Sequence, residues 1–350
     1  MILPEKSECR FLLLGGGKHI CELTKLLLKR KFPKPIIITY PKKEHLRDQK
    51  LLINKDIYDD IYKVAKKNGI TIIDNVYNNS EIIQVAKQFD TNILFSLSWR
   101  NIISLDVIKY FNYKIFNIHP SMLPFERGSG TFSYRILKNS NEVSATIHFV
   151  DTGVDTGNIV FQDKTNLNVK KPIPYDFLKN TQRVYNKLLE KFIHFIEEKK
   201  TLPEIKQNHK LSTYYPLLNT EVNGLINWNH SGDEIEKFIR AFSYPYPGAS
   251  TYLNGKQRIH ILKAKILEQG KYNHPFLVGR VLRIDNDEAD IITKDGILRI
   301  SQIYVNSKVI KICKILKLTT RLITPHELIE IAMMNVLKAK DMPTLNKKNG

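Results

Sequence analysis

One apolar stretch of this chain carries an amide and an imidazole at a spacing that suits acyl transfer. Asn117 and His119 stand two positions apart in a run that ends at Pro120. Side chains alternate along a strand, so the two groups project from one face, about 7 Å apart. Pro120 cannot continue a central ladder, which predicts that His119 lies at the carboxyl end of the strand, where ligands bind in open α/β sheets. There the amide could polarise a carbonyl group while the imidazole moves a proton, and a nearby carboxylate could tune the imidazole.

The carboxylate comes from a later turn, residues 151–157, where Val-Asp-Thr-Gly occurs twice in succession. The motif Asn-x-His-x-Ser-x-Leu-Pro, followed 36 positions after its histidine by Asp-Thr-Gly, resembles the folate-dependent formyltransferases. The resemblance implies transfer of a formyl group from 10-formyltetrahydrofolate to an amine. It also implies a catalytic triad of Asn117, His119 and Asp155, with Asp151 as the second candidate for the carboxylate.

The resemblance also suggests how the triad works. We expect a neutral amine to attack the formyl carbon directly, with no acylated residue and no metal. Asn117 would donate a hydrogen bond to the developing oxyanion, and His119 would take the proton from the amine. Asp155 would orient His119 and raise its pKa by charge proximity. Ser121 lacks the Gly-x-Ser-x-Gly setting of a nucleophile and is interpreted as a turn residue, and His148, inside an alternating strand, as a core histidine.

A second segment bears on the folate. The strand exit Phe-Ser-Leu-Ser-Trp-Arg-Asn-Ile-Ile, residues 95–103, resembles the sugar formyltransferases, in particular the aminoarabinose enzyme. A core role for the two isoleucine side chains is the alternative. The folate-binding residues implied by resemblance are Asn101, Ile102, Ile103, Asp151, Thr152, Gly153, Val154 and Asp155.

The segment from Glu126 to Gly130 is interpreted as a polar, flexible loop beside the catalytic strand. Arg127 in this loop is a candidate for binding a substrate phosphate or carboxylate. A solvated loop arginine is the alternative interpretation. The aminoarabinose-type enzymes carry a second arginine where this chain has Ser129, which argues against a substrate of the uronic-acid type.

Composition sets broad limits on the protein. At 350 residues, with 42% apolar and 25% charged residues, the chain is long enough for two domains with separate cores. The net charge of +19 indicates an anionic partner or, alternatively, a composition rich in lysine, isoleucine and asparagine. There is no apolar run of membrane-spanning length and no signal-peptide pattern. Three scattered cysteines indicate reduced thiols, and we expect a cytoplasmic protein.

Alternation of strands and helices in the first half predicts a Rossmann-like, mostly parallel sheet with helices on both faces. The glycines at 15–17 do not spell Gly-x-Gly-x-x-Gly and are interpreted as a tight turn into a helix. Short strands and Asn-Gly and Asp-Gly turns in the second half predict a small OB-like barrel. The predicted divisions are a catalytic domain (1–200), a linker (201–215), an OB-like domain (216–310) and a C-terminal helix and tail (311–350). Apolar residues at helical spacing predict a helix that includes Ile57 and Ile61, and a helix in the tail that includes Val336.

Three functional hypotheses follow. The first is an N-formyltransferase for a dTDP-, UDP- or GDP-linked amino sugar in surface-polysaccharide (lipopolysaccharide) synthesis, because Tyr-Pro-Tyr-Pro-Gly-Ala at 244–249 resembles the sugar branch. The second is methionyl-tRNA formyltransferase, favoured by the positive charge, although Arg-Gly-Ser-Gly-Thr at 127–131 departs from that enzyme's Arg-Gly-Ala-Ala-Pro. The third is a non-catalytic protein that binds folate or a sugar nucleotide. By resemblance we expect a homodimer, and no membrane partner.

Overall fold

The computed structural model of the protein describes residues 1–45, 52–53 and 60–334. The strands are β1 Phe11–Gly15, β2 Ile36–Ile38, β3 Ile72–Ile73, β4 Ile93–Leu97, β5 Ile115–His119, β6 Arg127–Gly128, β7 Glu142–Phe149, β8 Ile159–Asn166, β9 Tyr214–Tyr215, β10 Ala249–Leu253, β11 Gln257–Gln269, β12 Val281–Asp285, β13 Glu288–Thr293, β14 Gly296–Val305, β15 Lys308–Ile310 and β16 Leu322–Ile323. The helices are α1 Gly17–Lys29, α2 Ile61–Asn68, α3 Asn79–Gln88, α4 Leu105–Tyr110, α5 Thr131–Leu137, α6 Pro174–Glu197, α7 Thr220–Asn223, α8 Gly232–Ala241, α9 Ile312–Ile315 and α10 His326–Met334. The predicted helical positions Ile57 and Val336 lie outside the described residues.

The first sheet has seven strands in the order β3-β2-β1-β4-β5-β7-β8. The five strands from β3 to β5 are parallel, and β7 and β8 join antiparallel. The buried strands are nearly continuous runs of apolar residues, as expected where helices cover both faces. Strand order reverses between β1 and β4, so a crevice opens there at the carboxyl ends of the strands.

The second sheet is antiparallel and curled, in the order β12-β13-β14-β11-β10-β16, with β15 added to β14. Asn254 and Gly255 both have positive φ and form the predicted tight turn between β10 and β11. The sequence Ser231-Gly-Asp-Glu234 fits a capping box, and the helix α8 begins there, with Ser231 and Glu234 exchanging hydrogen bonds. The α/β sheet followed by an OB-like antiparallel half-barrel confirms the predicted fold class.

The segment between the two domains is attached to the first domain along much of its length. Ile205 exchanges both backbone hydrogen bonds with Ile159 of β8, at 2.8 and 2.9 Å. Further on, β9 pairs in parallel with β6. The prediction of a flexible polar loop at 126–130 is therefore wrong for its first half, because Glu126 and Arg127 are buried and the loop forms a strand with the linker.

No helix in the described ranges is both long enough and apolar enough to cross a membrane.

Candidate active site

The register of two neighbouring strands assembles the polar cluster. His119 is the last residue of β5, as the proline after it predicted, and Asn117 precedes it on the same face. In the antiparallel pairing of β5 with β7, Asn117 lies directly opposite His148. Asn117, His119 and His148 lie at the carboxyl edge of the parallel strands, on the same side of the sheet as the ends of β1 and β4.

Asp155 completes the cluster from the turn that follows β7. Its Oδ2 lies 3.4 Å from His119 Nδ1 and its Oδ1 lies 3.5 Å from His148 Nε2. The backbone N–H of Gly128 donates to Oδ2 at 2.9 Å. The structure therefore brings together the three residues of the predicted triad, and one carboxylate faces two imidazoles.

The second candidate carboxylate, Asp151, serves the turn itself. Its Oδ1 accepts hydrogen bonds from the backbone of Gly153 and the hydroxyl of Thr156. Asp151 is exposed, and these two hydrogen bonds close the loop that presents Asp155. The geometry thus favours Asp155 as the partner of His119.

Backbone contacts define which nitrogen of His119 holds a proton. Nε2 lies 2.7 Å from the carbonyl oxygen of Glu126, which can only accept, so Nε2–H donates there. The neutral imidazole consequently has its lone pair on Nδ1, beside Asp155. A proton taken up at Nδ1 would be stabilised at once by the carboxylate.

Burial changes the titration of this pair. Burial lowers the pKa of His119 from its usual 6.5, and the charge of Asp155 offsets this only in part. The charge of Asp155 thus raises the pKa of His119, as expected, but desolvation is the larger effect and the pKa falls overall. Burial also opposes ionisation of Asp155, but His119, His148 and the Gly128 N–H together hold its pKa well below its ordinary value. His119 is thus a neutral base beside an ionised carboxylate.

His148 is the functional candidate that sequence analysis missed. It is buried, as predicted for a core residue, and its Nδ1–H donates to the carbonyl oxygen of Phe149 at 2.7 Å. Its Nε2 is then an acceptor, and Asn117 Nδ2–H donates to it at 3.1 Å. The other N–H of Asn117 donates to Asp155 Oδ1 at 3.5 Å, a long hydrogen bond that a substrate oxygen could replace. The sequence feature that could have indicated a role for His148 was its position on a strand that could pair with the Asn-x-His strand.

A buried ion pair holds the carbonyl that contacts His119. Arg135 is 1% exposed, and its Nε donates to Glu126 Oε2 at 2.9 Å. The same guanidinium donates to the carbonyls of Pro120 and Glu142 and to the hydroxyl of Ser144. Glu126 has φ of +56°, a conformation that needs support from its surroundings. The pair therefore fixes the backbone on which the orientation of His119 depends.

The two segments predicted to bind folate, 101–103 and 151–155, present exposed apolar side chains. Ile102 is 65% exposed and Val154 is 44% exposed, whereas Ile103 is buried. Asn79 fixes the loop, because its amide donates to the carbonyl of Ile102 and accepts from the N–H of Ser104. The core interpretation thus holds for Ile103 alone, and Ile102 is free to contact a flat apolar ligand.

Arg127 points inward rather than toward solvent. Its Nη2 donates to Gln207 Oε1 at 2.6 Å and lies 3.1 Å from His209 Nδ1. Only 7% of the residue is exposed. Its role as a substrate ligand stays a prediction, and the contacts described connect it to the linker.

A cavity of about 240 Å³ opens at the crevice between β1 and β4. Its lining includes Lys18 and Arg100, the N-terminus of α1, and the rings of Tyr40 and Tyr246. Tyr246 comes from the loop after α8, so both domains contribute. The turn at 15–17 is tight, as predicted, and also forms one wall of this cavity.

An aromatic and basic cluster stands apart on the second domain. Phe276 is 62% exposed, and the guanidinium groups of Arg280 and Arg321 lie 5.3 and 5.8 Å from its ring centre. No run in the sequence indicated this cluster, because its members come from separate segments.

Comparison with known proteins identifies the family. Residues 9–174 match the family described as Formyl transferase, and residues 220–318 match Formyl transferase, C-terminal domain. The methionyl-tRNA formyltransferase of Rickettsia prowazekii (strain Madrid E) is 31% identical over 71% of this chain and 78% of its own.

Solved structures share the fold. The N-formyltransferase from Helicobacter canadensis, in complex with folinic acid and dTDP-3-aminofucose, superposes with a TM-score of 0.61 at 23% identity, covering 85% of this chain and all of its own. WlaRD, a sugar 3N-formyl transferase solved with dTDP and 5-N-formyl-THF, gives 0.60 at 23% identity over 85% and 98%. With both domains matched in order and a relative above 30% identity, the chain belongs to the formyl transferase family.

Proposed function

We propose that this protein transfers the formyl group of 10-formyltetrahydrofolate to the amine of a nucleotide-linked amino sugar. The observation that carries the proposal is the cavity between β1 and β4, which lies at the same sheet edge as Asn117, His119 and Asp155. Lys18 offers positive charge to a diphosphate, beside Arg100, which is also paired with Glu44, and Tyr246 offers a ring to a base or sugar. The folate would lie on the opposite side of the triad, against Ile102 and Val154.

The chemistry follows from the positions of the triad atoms. The lone pair of the amine attacks the formyl carbon, and Asn117 donates to the oxygen that becomes negative. His119 Nδ1 takes the proton that the amine loses, and Asp155 stabilises the imidazolium. As the tetrahedral intermediate collapses, the bond from carbon to the folate nitrogen breaks, and His119 returns the proton to that nitrogen. Atoms and charge balance without an acylated residue.

Methionyl-tRNA formyltransferase is the second candidate, because the relatives described above include that enzyme. The cluster of Phe276, Arg280 and Arg321 would suit a stacked base and a phosphate. Against it, residues 220–334 contain 16 lysines and arginines but also 12 aspartates and glutamates. Little of the net charge of +19 is therefore concentrated on the second domain.

The test is turnover of 10-formyltetrahydrofolate by the full chain, with dTDP-, UDP- and GDP-linked 3-amino and 4-amino sugars and with methionyl-tRNA. We expect turnover with one sugar nucleotide. Asn117→Ala should lower kcat by about 10²–10³-fold, the usual effect of losing one oxyanion donor, and His119→Ala by at least as much. His194→Ala, at an exposed position on α6, is the matched control and should leave kcat unchanged.

Turnover with methionyl-tRNA alone would replace the first candidate by the second. Wild-type rates in either Asn117→Ala or His119→Ala would contradict the assigned chemistry. Folate binding without turnover of any amine in the panel would support the non-catalytic hypothesis.

A further inference from the structure

We propose that Gln207, in the linker between the domains, is a positioning residue for the catalytic carboxylate. The inference rests on the proposed function, because it requires that the Asp155 carboxylate acts on His119. Gln207 touches no reacting atom and acts through the backbone of the turn that presents Asp155.

The contacts of Gln207 use its whole amide. Nε2 donates to the carbonyl oxygen of Asp155 at 2.9 Å and to that of Gly157 at 2.7 Å. Oε1 accepts from Arg127 Nη2 at 2.6 Å. The residue is 6% exposed. A buried side chain with both donors on one turn fixes that turn in position.

The turn requires such support. Asp155 has φ of +53°, in the left-handed region that is unfavourable for residues other than glycine. Such a conformation persists where surrounding contacts determine it. On the side-chain end, the Gly128 N–H holds the carboxylate at 2.9 Å. Gln207 holds the backbone end, so Asp155 is fixed from both ends at 3.4 Å from His119 Nδ1, where its charge can stabilise the imidazolium.

Gln207 is itself held by the linker on both sides. Ile205, two positions before it, is paired to Ile159 of β8. Beyond it, Thr213 O accepts from the N–H of Arg127, and Tyr215 O accepts from that of Ser129. The segment that joins the domains therefore forms part of the wall behind the catalytic residues.

The test uses two variants with different losses. Gln207→Glu removes both donors but keeps a partner for Arg127, and Gln207→Met removes all three contacts. Both should lower kcat by about 10–100-fold, the range expected for a small misplacement of a catalytic group, with little change in the KM for folate. Asn273→Asp is the matched control, because the Asn273 amide donates to the carbonyls of Thr293 and Gly296 in the second domain. This control should leave kcat unchanged.

A double-mutant cycle separates positioning from general stability. In an Asp155→Ala background, Gln207→Met should lower kcat by less than about twofold, because the group it positions is gone. A loss as large as in the wild-type background would overturn the proposal. So would a wild-type kcat in Gln207→Glu.

Amide hydrogen exchange tests the same contact without any substrate. The Gly128 amide, which Asp155 protects, should exchange faster in Gln207→Glu, while the Ser129 amide, bonded to the linker, should not. Unchanged exchange at Gly128 would overturn the proposal. Absence of turnover in the wild type would contradict the proposed function, and Gly128 exchange would still decide the role of Gln207.

Discussion

Removing the guanidinium of Arg135 should destabilise the first domain strongly. In Arg135→Met, the Glu126 carboxylate loses its partner at 2.9 Å and keeps Lys138, at 3.2 Å on a half-exposed side chain. The Pro120 and Glu142 carbonyls and the Ser144 hydroxyl lose a donor as well. Breaking a buried ion pair on one side costs about 3–5 kcal/mol, and we expect a loss in this range.

Charge accounts for most of that cost, and the double variant Glu126→Gln with Arg135→Met tests this. Replacing both charged partners of a buried pair is often close to neutral, so the double variant should recover about 2 kcal/mol relative to Arg135→Met. The control is Arg283→Met, because Asp290 keeps Arg299 as a partner there and Arg283 is largely exposed. That change should cost about 0–1 kcal/mol.

The measurement is urea unfolding followed by tryptophan fluorescence and by circular dichroism, which also shows whether the two domains unfold together. A loss below about 1 kcal/mol in Arg135→Met, similar to the surface control, would refute the reasoning. A double variant as unstable as the sum of the two single variants would refute it as well, since the charges would then not interact.

Two further predictions concern the pH dependence and the folate. His119 acts as a base only when neutral, and its pKa is lowered, so the acid limb of the pH profile of kcat/KM should have its midpoint below pH 6.5. In Asp155→Asn this limb should move to still lower pH, because the carboxylate charge raises the pKa of His119. A shift toward higher pH would contradict this prediction. Ile102→Asp should raise the KM for 10-formyltetrahydrofolate at least about tenfold, because a carboxylate would replace exposed apolar surface. The control is Leu318→Asp, since Leu318 lies in the other domain and is equally exposed, at 65%. Equal effects of the two changes on KM would contradict a contact between Ile102 and folate.

Much of the fold could be predicted from local patterns. Periodicity identified most strands and helices of the first domain because helices there alternate with continuous apolar strands, but it did not identify the short helix α5. The capping box at Ser231 and the Asn254-Gly255 turn marked their elements because both are local interactions. The short strands β6 and β9 had no such signal, since each exists only through its pairing with the other.

Part of the candidate site could likewise be predicted from local patterns, and part could not. The spacing of Asn117 and His119 indicated acyl transfer, their motif with the Asp-Thr-Gly turn implied formyl transfer by resemblance, and the structure brings these groups together. The sequence left the choice between Asp151 and Asp155 to a count of positions, whereas the structure separates them by their hydrogen bonds.

By itself, then, the sequence determined the family, the order of elements and the chemical groups, since these depend on residues close together in the chain. Only the tertiary structure decided that His148 faces Asn117, that Arg127 turns inward, that Gln207 reaches the Asp155 turn, and that the pKa of His119 falls. The physical reason is that strand register, burial and desolvation depend on groups far apart in sequence. Such partners carry no local signal until the chain has folded.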